Sequence, residues 1–348
     1  MSTVTRLNGL TRDPVPQPTT GAKKILVLNL MPNRAVTEQQ FASIFAATGF
    51  PVTLTFCLPA SHQIRRHADQ LHAAYATFPE IEDQFFDGLI ITGAPLDQKP
   101  FTDVDYWDEL QEILTWRRTH VQGSLFLCWG AYAAGAVDGV FVGHGIPEKI
   151  TGVFTVEGYT MPQSRYFLVP LAAIERGEIV AGNLDLGAVI VTDDTTQSTY
   201  VAGHFEYSAN TLALEYYRDQ AKNGDAAPEP QHYFTGDNQY SWTWRADAVA
   251  FYRRWLAKIT DSQPPAAADT GTALPTIPLT SLAAARRAGL TPWQGANVDT
   301  LIYNLTPHTD QVWLLDTPAH HVDLANAWAI LHHIQPDIQV IATKEGIV

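Results

Sequence analysis

Cys128 stands in "SLFLCWGAYAAG" (Ser124–Gly135), where an apolar strand pattern runs into Trp-Gly and a series of small residues. A sharp strand-to-helix turn at this point would expose the thiol, and it needs small neighbours to do so. The N-terminus of the following helix would favour thiolate, and the amide of Trp129 would face a developing oxyanion. The same pattern suits a buried thiol packed between strand and helix, so this stretch alone leaves both readings open. "VAGHFEYS" (Val201–Ser208) adds a histidine after an apolar run and a glycine, with a carboxylate two residues on. Alternate residues of an extended segment share a face, so His204 and Glu206 would lie together. A nucleophilic thiol needs a base, and the base needs an orienting group, which makes Cys128, His204 and Glu206 a candidate triad. "TGAP" (Thr92–Pro95) offers a second turn whose backbone, at Gly93, would supply another oxyanion donor. A tight turn needing a small residue accounts for it equally well. Cys57 sits in the middle of an apolar run with no base motif beside it.

These residues need a scaffold. "KKILVLNL", "PVTLTFCL", "FDGLIITGAP" and "GSLFLCW" read as short buried strands. Between them, "TEQQFASIFAATG" reads as a helix capped by Thr37 and closed by Gly49, and "YWDELQEILTWRRTH" has helical periodicity. "GAVIVTDD" and "STYVAGHFEYS" add strand signals, and "ANTLALEYYRDQ" and "SWTWRADAVAFYRRWLAKI" add helices. Alternation of this kind predicts a doubly wound, mostly parallel α/β sheet flanked by helices. Ligands of such sheets bind beyond the carboxyl ends of the strands, where Cys128, His204 and Gly93 all fall.

The 348 residues exceed one average domain. Residues 1–22 read as a flexible arm and 23–260 as the catalytic domain. Residues 261–280, rich in Pro, Ala and Thr, read as a linker. Residues 281–348 read as a small α+β appendage, in which "DTLIYNL" and "DQVWLLDT" look like a strand pair. Five of the twelve histidines lie there: His308, His320, His321, His332 and His333. Adjacent pairs point different ways on a regular element, so no metal site is expected. A net charge of −14 and the lack of a basic run beyond pairs such as Arg65-Arg66 argue against nucleic acid and anionic membranes as partners. No apolar run approaches membrane-spanning length, and two cysteines make no disulfide framework. A cytoplasmic location is the expectation.

Taken together, "LNLMP…TEQQF", "FDGLIITGAPL…VDYWDEL", "LFLCWGAYAA", "EKITGVF", "SRY" and "GHFEYSANTLALEYYRD" resemble the homoserine O-acyltransferases, transacetylases and transsuccinylases with a class I glutamine-amidotransferase-like fold. The resemblance runs from about Lys23 to Ile259. It implies ping-pong acyl transfer from acyl-CoA to an amino-acid hydroxyl through a thioester on Cys128, with His204 as base and Glu206 as its partner. That places the protein in methionine or cysteine biosynthesis, with acetyl-CoA as co-substrate, no permanently bound cofactor and a homodimer as the possible assembly. Lys149, Ser164 and Arg218 fall on the family's substrate-contact positions, and an arginine fork suits an α-carboxylate, although by itself Arg218 reads as one half of a helix-surface ion pair.

The departures from the family are local. A lysine pair usual after "LNLMP" is Asn33-Arg34 here, and the stretch between "GVF" and "SRY" is shortened to "TVEGYTMPQ", which would reshape the acceptor pocket. Position 97 is Gly in succinyl-CoA users and acidic in acetyl-CoA users. Asp97 would repel the free carboxylate of a succinyl group. The leading expectation is therefore acetyl transfer to L-homoserine. L-Serine as acceptor, succinyl-CoA as donor, and a glutamine amidotransferase-like hydrolase are the alternatives. Phe126, two positions before the cysteine where amidotransferases carry Gly, argues against the last.

Overall fold

The computed structural model describes residues 3–64, 66–236, 239–240 and 242–259, together with two backbone strands in the tail, Gln311–Asp316 and Gln339–Lys344. In chain order the elements are β1 (Val4–Arg6), β2 (Lys23–Leu28), α1 (Arg34–Thr48), β3 (Val52–Leu58), α2 (Ala68–Ala74), β4 (Ala76–Thr77), α3 (Phe78–Ile81), β5 (Phe86–Ile91), α4 (Trp107–His120), β6 (Val121–Leu127) and α5 (Trp129–Asp138). There follow a long hairpin of β7 (His144–Val156) and β8 (Tyr159–Leu168), then β9 (Glu178–Asn183), β10 (Gly187–Asp193), β11 (Ser198–Val201), α6 (Thr211–Asn223), β12 (Phe234–Gly236), β13 (Gln239–Tyr240) and α7 (Arg245–Lys258). The two tail strands are β14 and β15.

One sheet of nine strands runs in the order β1-β3-β2-β5-β6-β11-β10-β9, with β4 also on β3. All pairings from β1 to β11 are parallel, and β10 runs antiparallel to both β11 and β9. This is the doubly wound sheet that the alternating pattern predicts. Along β2 the side chains divide by alternation. Ile25 and Val27 join a core with Phe41, Phe45, Tyr252 and Trp255 of α1 and α7. Leu26 and Leu28 join one with Leu110, Ile113, Trp129 and Ala133 of α4 and α5. Burial on both faces explains why these strands read as unbroken apolar runs. Two glycines make room for α7. A Cβ at Gly88 would lie 2.6 Å from the Trp255 ring, and one at Gly123 would lie 2.3 Å from Ile259.

Three sequence expectations differ. Residues 1–22 are not simply an arm: β1 pairs with Val52–Leu54 of β3, and Asn8 exchanges hydrogen bonds with the backbone of Phe56. Beyond it, the Leu10 and Thr11 amides donate to Glu38 at 2.9 and 2.7 Å. A buried carboxylate on α1 thus holds a segment whose own composition gave no sign of order. Thr37 does not cap α1, which begins three residues earlier, with Asn33 in the capping position. Gly49 does close it, in the left-handed conformation at φ 77°. In the tail, β14 overlaps the expected "DQVWLLDT" strand but pairs in parallel with β15. "DTLIYNL", the linker at 261–280 and the five tail histidines lie outside the described residues. Among the described residues no helix is long and apolar enough to cross a membrane.

Candidate active site

The carboxyl ends of β2, β5, β6 and β11 converge, and each delivers part of the site. β6 ends at Leu127, and Cys128 adopts φ 49°, ψ −118° before α5 begins at Trp129. A non-glycine residue in this left-handed region is strained. The strain is held by the close seating of α5: a Cβ on Gly130 would lie 2.6 Å from the Thr92 carbonyl oxygen. The small residues of "CWGAYAAG" thus serve the approach of helix to strand. The thiol lies at this elbow, only 4% exposed, with Sγ 3.8 Å from the Ser164 carbonyl oxygen.

His204 and Glu206 are joined Nδ1 to Oε1 at 2.6 Å, and both are buried. The pairing arises differently from the strand alternation expected. β11 stops at Val201, and the two residues meet within a turn in which the Tyr207 amide donates to the His204 carbonyl. His204 and the Cys128 thiol act on one another's protonation. Burial pushes the thiol up, His204 opposes it, and Asp97 adds to the rise. Burial alone would lower His204, but Glu206 and then Cys128 outweigh it and raise the imidazole well above its ordinary value. A Cys–His pair of this kind holds its proton jointly.

Gly93 abuts both groups: a Cβ there would lie 3.1 Å from His204 Cε1 and 3.2 Å from Cys128 Cβ. Trp129 opens α5, and the amide of a helix's first residue has no partner four residues back. Its indole is a core group against Phe101 and Tyr106. Asp97 receives the Tyr166 amide on Oδ2 at 2.8 Å, while its buried Oδ1 has no partner. Burial raises its carboxyl despite the Tyr166 amide and the cations His204, Arg165 and Lys149.

Lys149, Ser164 and Arg218 come together around two carboxylates that the sequence reading did not single out. Ser164 Oγ donates to Glu215 at 2.5 Å. Lys149 Nζ lies 2.8 Å from Asp219 and 3.9 Å from Glu215. Arg218 forks onto Asp219 at 2.8–2.9 Å and is 60% exposed. Glu215, Arg218 and Asp219 stand at the i, i+3, i+4 spacing of one face of α6, a signal present in "EYYRD". Arg165 was also passed over. Fully buried on β8, it donates to Gln163, Phe167 and Leu186, and burial brings its pKa down to about 10. Arg34, in place of the family's lysine pair, starts α1 at the end of β2. Its Nε is buried with no partner. The shortened stretch forms the tip of the β7–β8 hairpin, turning at Glu157-Gly158. That tip is six residues from Ser164, about 20 Å along the strand at roughly 3.3 Å each. The stretch's other end, at Pro162-Gln163, adjoins Ser164, and the His204 amide donates to the Pro162 carbonyl at 2.9 Å.

Residues 19–265 match the family model described as homoserine O-succinyltransferase. This chain belongs to that family. Among curated members, a homoserine O-acetyltransferase of Leuconostoc mesenteroides is 41% identical over 256 residues, covering 69% of this chain and 83% of the relative. Homoserine O-acetyltransferases of Streptococcus thermophilus (36%, covering 67% and 81%) and Bacillus subtilis (34%, covering 67% and 84%) are also similar. A glutamine amidotransferase of known structure from Thermotoga maritima superposes with a TM-score of 0.43 at 12% identity, over 69% of this chain and 99% of its own. The homoserine O-succinyltransferase match ends just beyond α7, leaving most of the tail outside it.

Proposed function

We propose that this member of the family is a homoserine O-acetyltransferase that works through an acetyl thioester on Cys128, in methionine biosynthesis. The observation that carries the reading is the strained elbow at Cys128 facing a buried His204–Glu206 pair. His204 takes the Sγ proton, and the sulfur attacks the carbonyl of acetyl-CoA. The tetrahedral oxyanion is received by the Trp129 amide and the backbone at Gly93. Collapse expels the CoA thiolate, which takes the proton from His204 and leaves acetyl-Cys128. In the second half His204 removes the proton from the homoserine hydroxyl, whose oxygen attacks the thioester; collapse breaks the C–S bond, releases O-acetylhomoserine, and returns the proton from His204 to the Cys128 sulfur. Glu206 keeps the ring oriented and supports its charge. Lys149 and Arg218 are assigned to the acceptor's carboxylate and Glu215 to its ammonium, with exchange of the resting ion pairs on binding.

Succinyl transfer is the second reading, because the family model carries that name. Asp97, half-buried with a bare oxygen in the same electrostatic field as Cys128 and His204, favours acetyl. The test is intact-mass measurement after mixing the protein with acetyl-CoA, succinyl-CoA or glutamine, followed by homoserine or serine. The expected result is an acetyl adduct on Cys128 that homoserine discharges faster than serine does. A succinyl adduct alone, or adduct-free turnover of glutamine, would replace this reading.

A further inference from the structure

Tyr207 lies outside the triad, yet its contacts converge on the catalytic base. Its ring stacks on the His204 imidazole with centroids 4.0 Å apart and planes 18° apart. Its hydroxyl donates to Glu215 at 2.8 Å. Its carbonyl receives two indole N–H groups, from Trp242 at 3.1 Å and Trp244 at 3.0 Å. Backbone and side chain are thus fixed from separate elements, and the ring has no freedom to swing away. Glu215 also receives the Ser164 hydroxyl, on its other oxygen.

We propose that Tyr207 is a positioning residue for His204, holding the imidazole plane between Cys128 and Glu206, and that Glu215 fixes Tyr207 through its hydroxyl. The inference rests on the reading of Cys128 and His204 as nucleophile and base. Glu206 fixes one ring nitrogen but leaves the ring free to pivot about that bond, and a stacked face removes the pivot. An aromatic face also favours the charged imidazolium that forms when the sulfur loses its proton. Misplacement of a reacting group by about 1 Å can cost on the order of a hundredfold in rate, so a small tilt would register. Because Glu215 meets both Ser164 and Tyr207, the acceptor side and the base share one carboxylate.

The test uses the full chain as wild type, Tyr207→Phe and Tyr207→Leu. One readout is the rate of Cys128 alkylation by iodoacetamide across pH, and the other is kcat and KM for transfer. Besides Tyr207, the titratable groups acting on His204 are Glu206 in its own turn, Cys128 at the start of α5 and Asp97 after β5, with Arg165 of β8 acting on the last two. None of them changes in these variants. The Phe variant keeps the ring and loses the Glu215 bond. We expect kcat to fall about tenfold, the loss of one hydrogen bond to a charged group, with KM within about twofold and the alkylation midpoint moved upward. The Leu variant also loses the stack and should fall on the order of a hundredfold, with a larger upward move. Wild-type kcat and an unmoved alkylation profile in Tyr207→Phe overturn the anchoring. A Leu variant no worse than Phe overturns the stack. If Leu fails to fold, Phe alone decides. A merely structural role would lower the folded fraction and leave both readouts per reactive thiol unchanged. Alkylation needs neither donor nor acceptor, so a protein that transferred nothing to homoserine would still test Tyr207.

Discussion

Burial and a neighbouring base pull in opposite directions at Cys128. The thiol is raised by its surroundings and lowered by His204. Replacing His204 with Asn removes the lowering influence, so the pH midpoint for alkylation should rise and the rate at neutral pH should fall. A midpoint that stays or drops would mean the imidazole does not face the sulfur. Cys128→Ala should abolish both adduct formation and transfer. Cys57→Ser should remain active, because Cys57 is a buried thiol in β3 that donates only to the Leu58 carbonyl, and burial raises it too. On the proposed reading, Asp97 selects the donor by exclusion. Asp97→Gly should raise kcat/KM for succinyl-CoA relative to acetyl-CoA by about tenfold, equivalent to roughly 1.4 kcal/mol. An unchanged ratio, measured with both donors in both proteins, would remove Asp97 from the acyl pocket.

The elbow works only because α5 can press its first turn onto the end of β5. Gly130→Ala would drive a methyl to 2.6–2.7 Å from the carbonyl oxygens of Thr92 and Ile91. Rigid backbone cannot yield as a side chain can, so we expect a loss of about 1–3 kcal/mol, read as a melting point lower by several degrees, and a larger loss of kcat. Unchanged melting and turnover would show that α5 has slack. Elements with a strong period were legible: β2, β3, β5, β6, α4, α6 and α7 stand where their apolar spacing puts them. The meeting of His204 with Glu206 was legible from their spacing, although a turn beyond β11 and not strand alternation brings it about. Glu215, Asp219, Tyr207 and Arg165 were not. Some of their partners are distant in the chain, Ser164 for Glu215 and Lys149 for Asp219, and no local pattern encodes those meetings. β1 was hidden for the same reason, being held by β3.

The family match stops at residue 265, and α7, which ends at Lys258, already closes the sheet against Gly88 and Gly123. A chain ending at Ser262 should therefore fold and keep its triad. Insoluble product, or loss of Cys128 alkylation, would show that the catalytic layer depends on the tail. The N-terminus should behave in the opposite way. Deleting residues 1–21 removes β1 and leaves the Glu38 carboxylate without its Leu10 and Thr11 donors. A buried charge that loses these donors and keeps only the Tyr75 hydroxyl costs about 1–3 kcal/mol. A second effect concerns neighbours. With β1 in place, the edge of β3 is covered by three residues at one end and by β4 at the other. At the far side of the sheet, β9 meets β10 in a broken register, and irregular edges of that kind resist pairing with another chain. The short N-terminal strand is thus a guard. Without it, "VTLTFCL", apolar and rich in branched residues, would present an open row of amides and carbonyls to its like on another molecule. Light scattering of the N-terminally shortened protein at rising concentration should show self-association at temperatures where the intact chain stays clear.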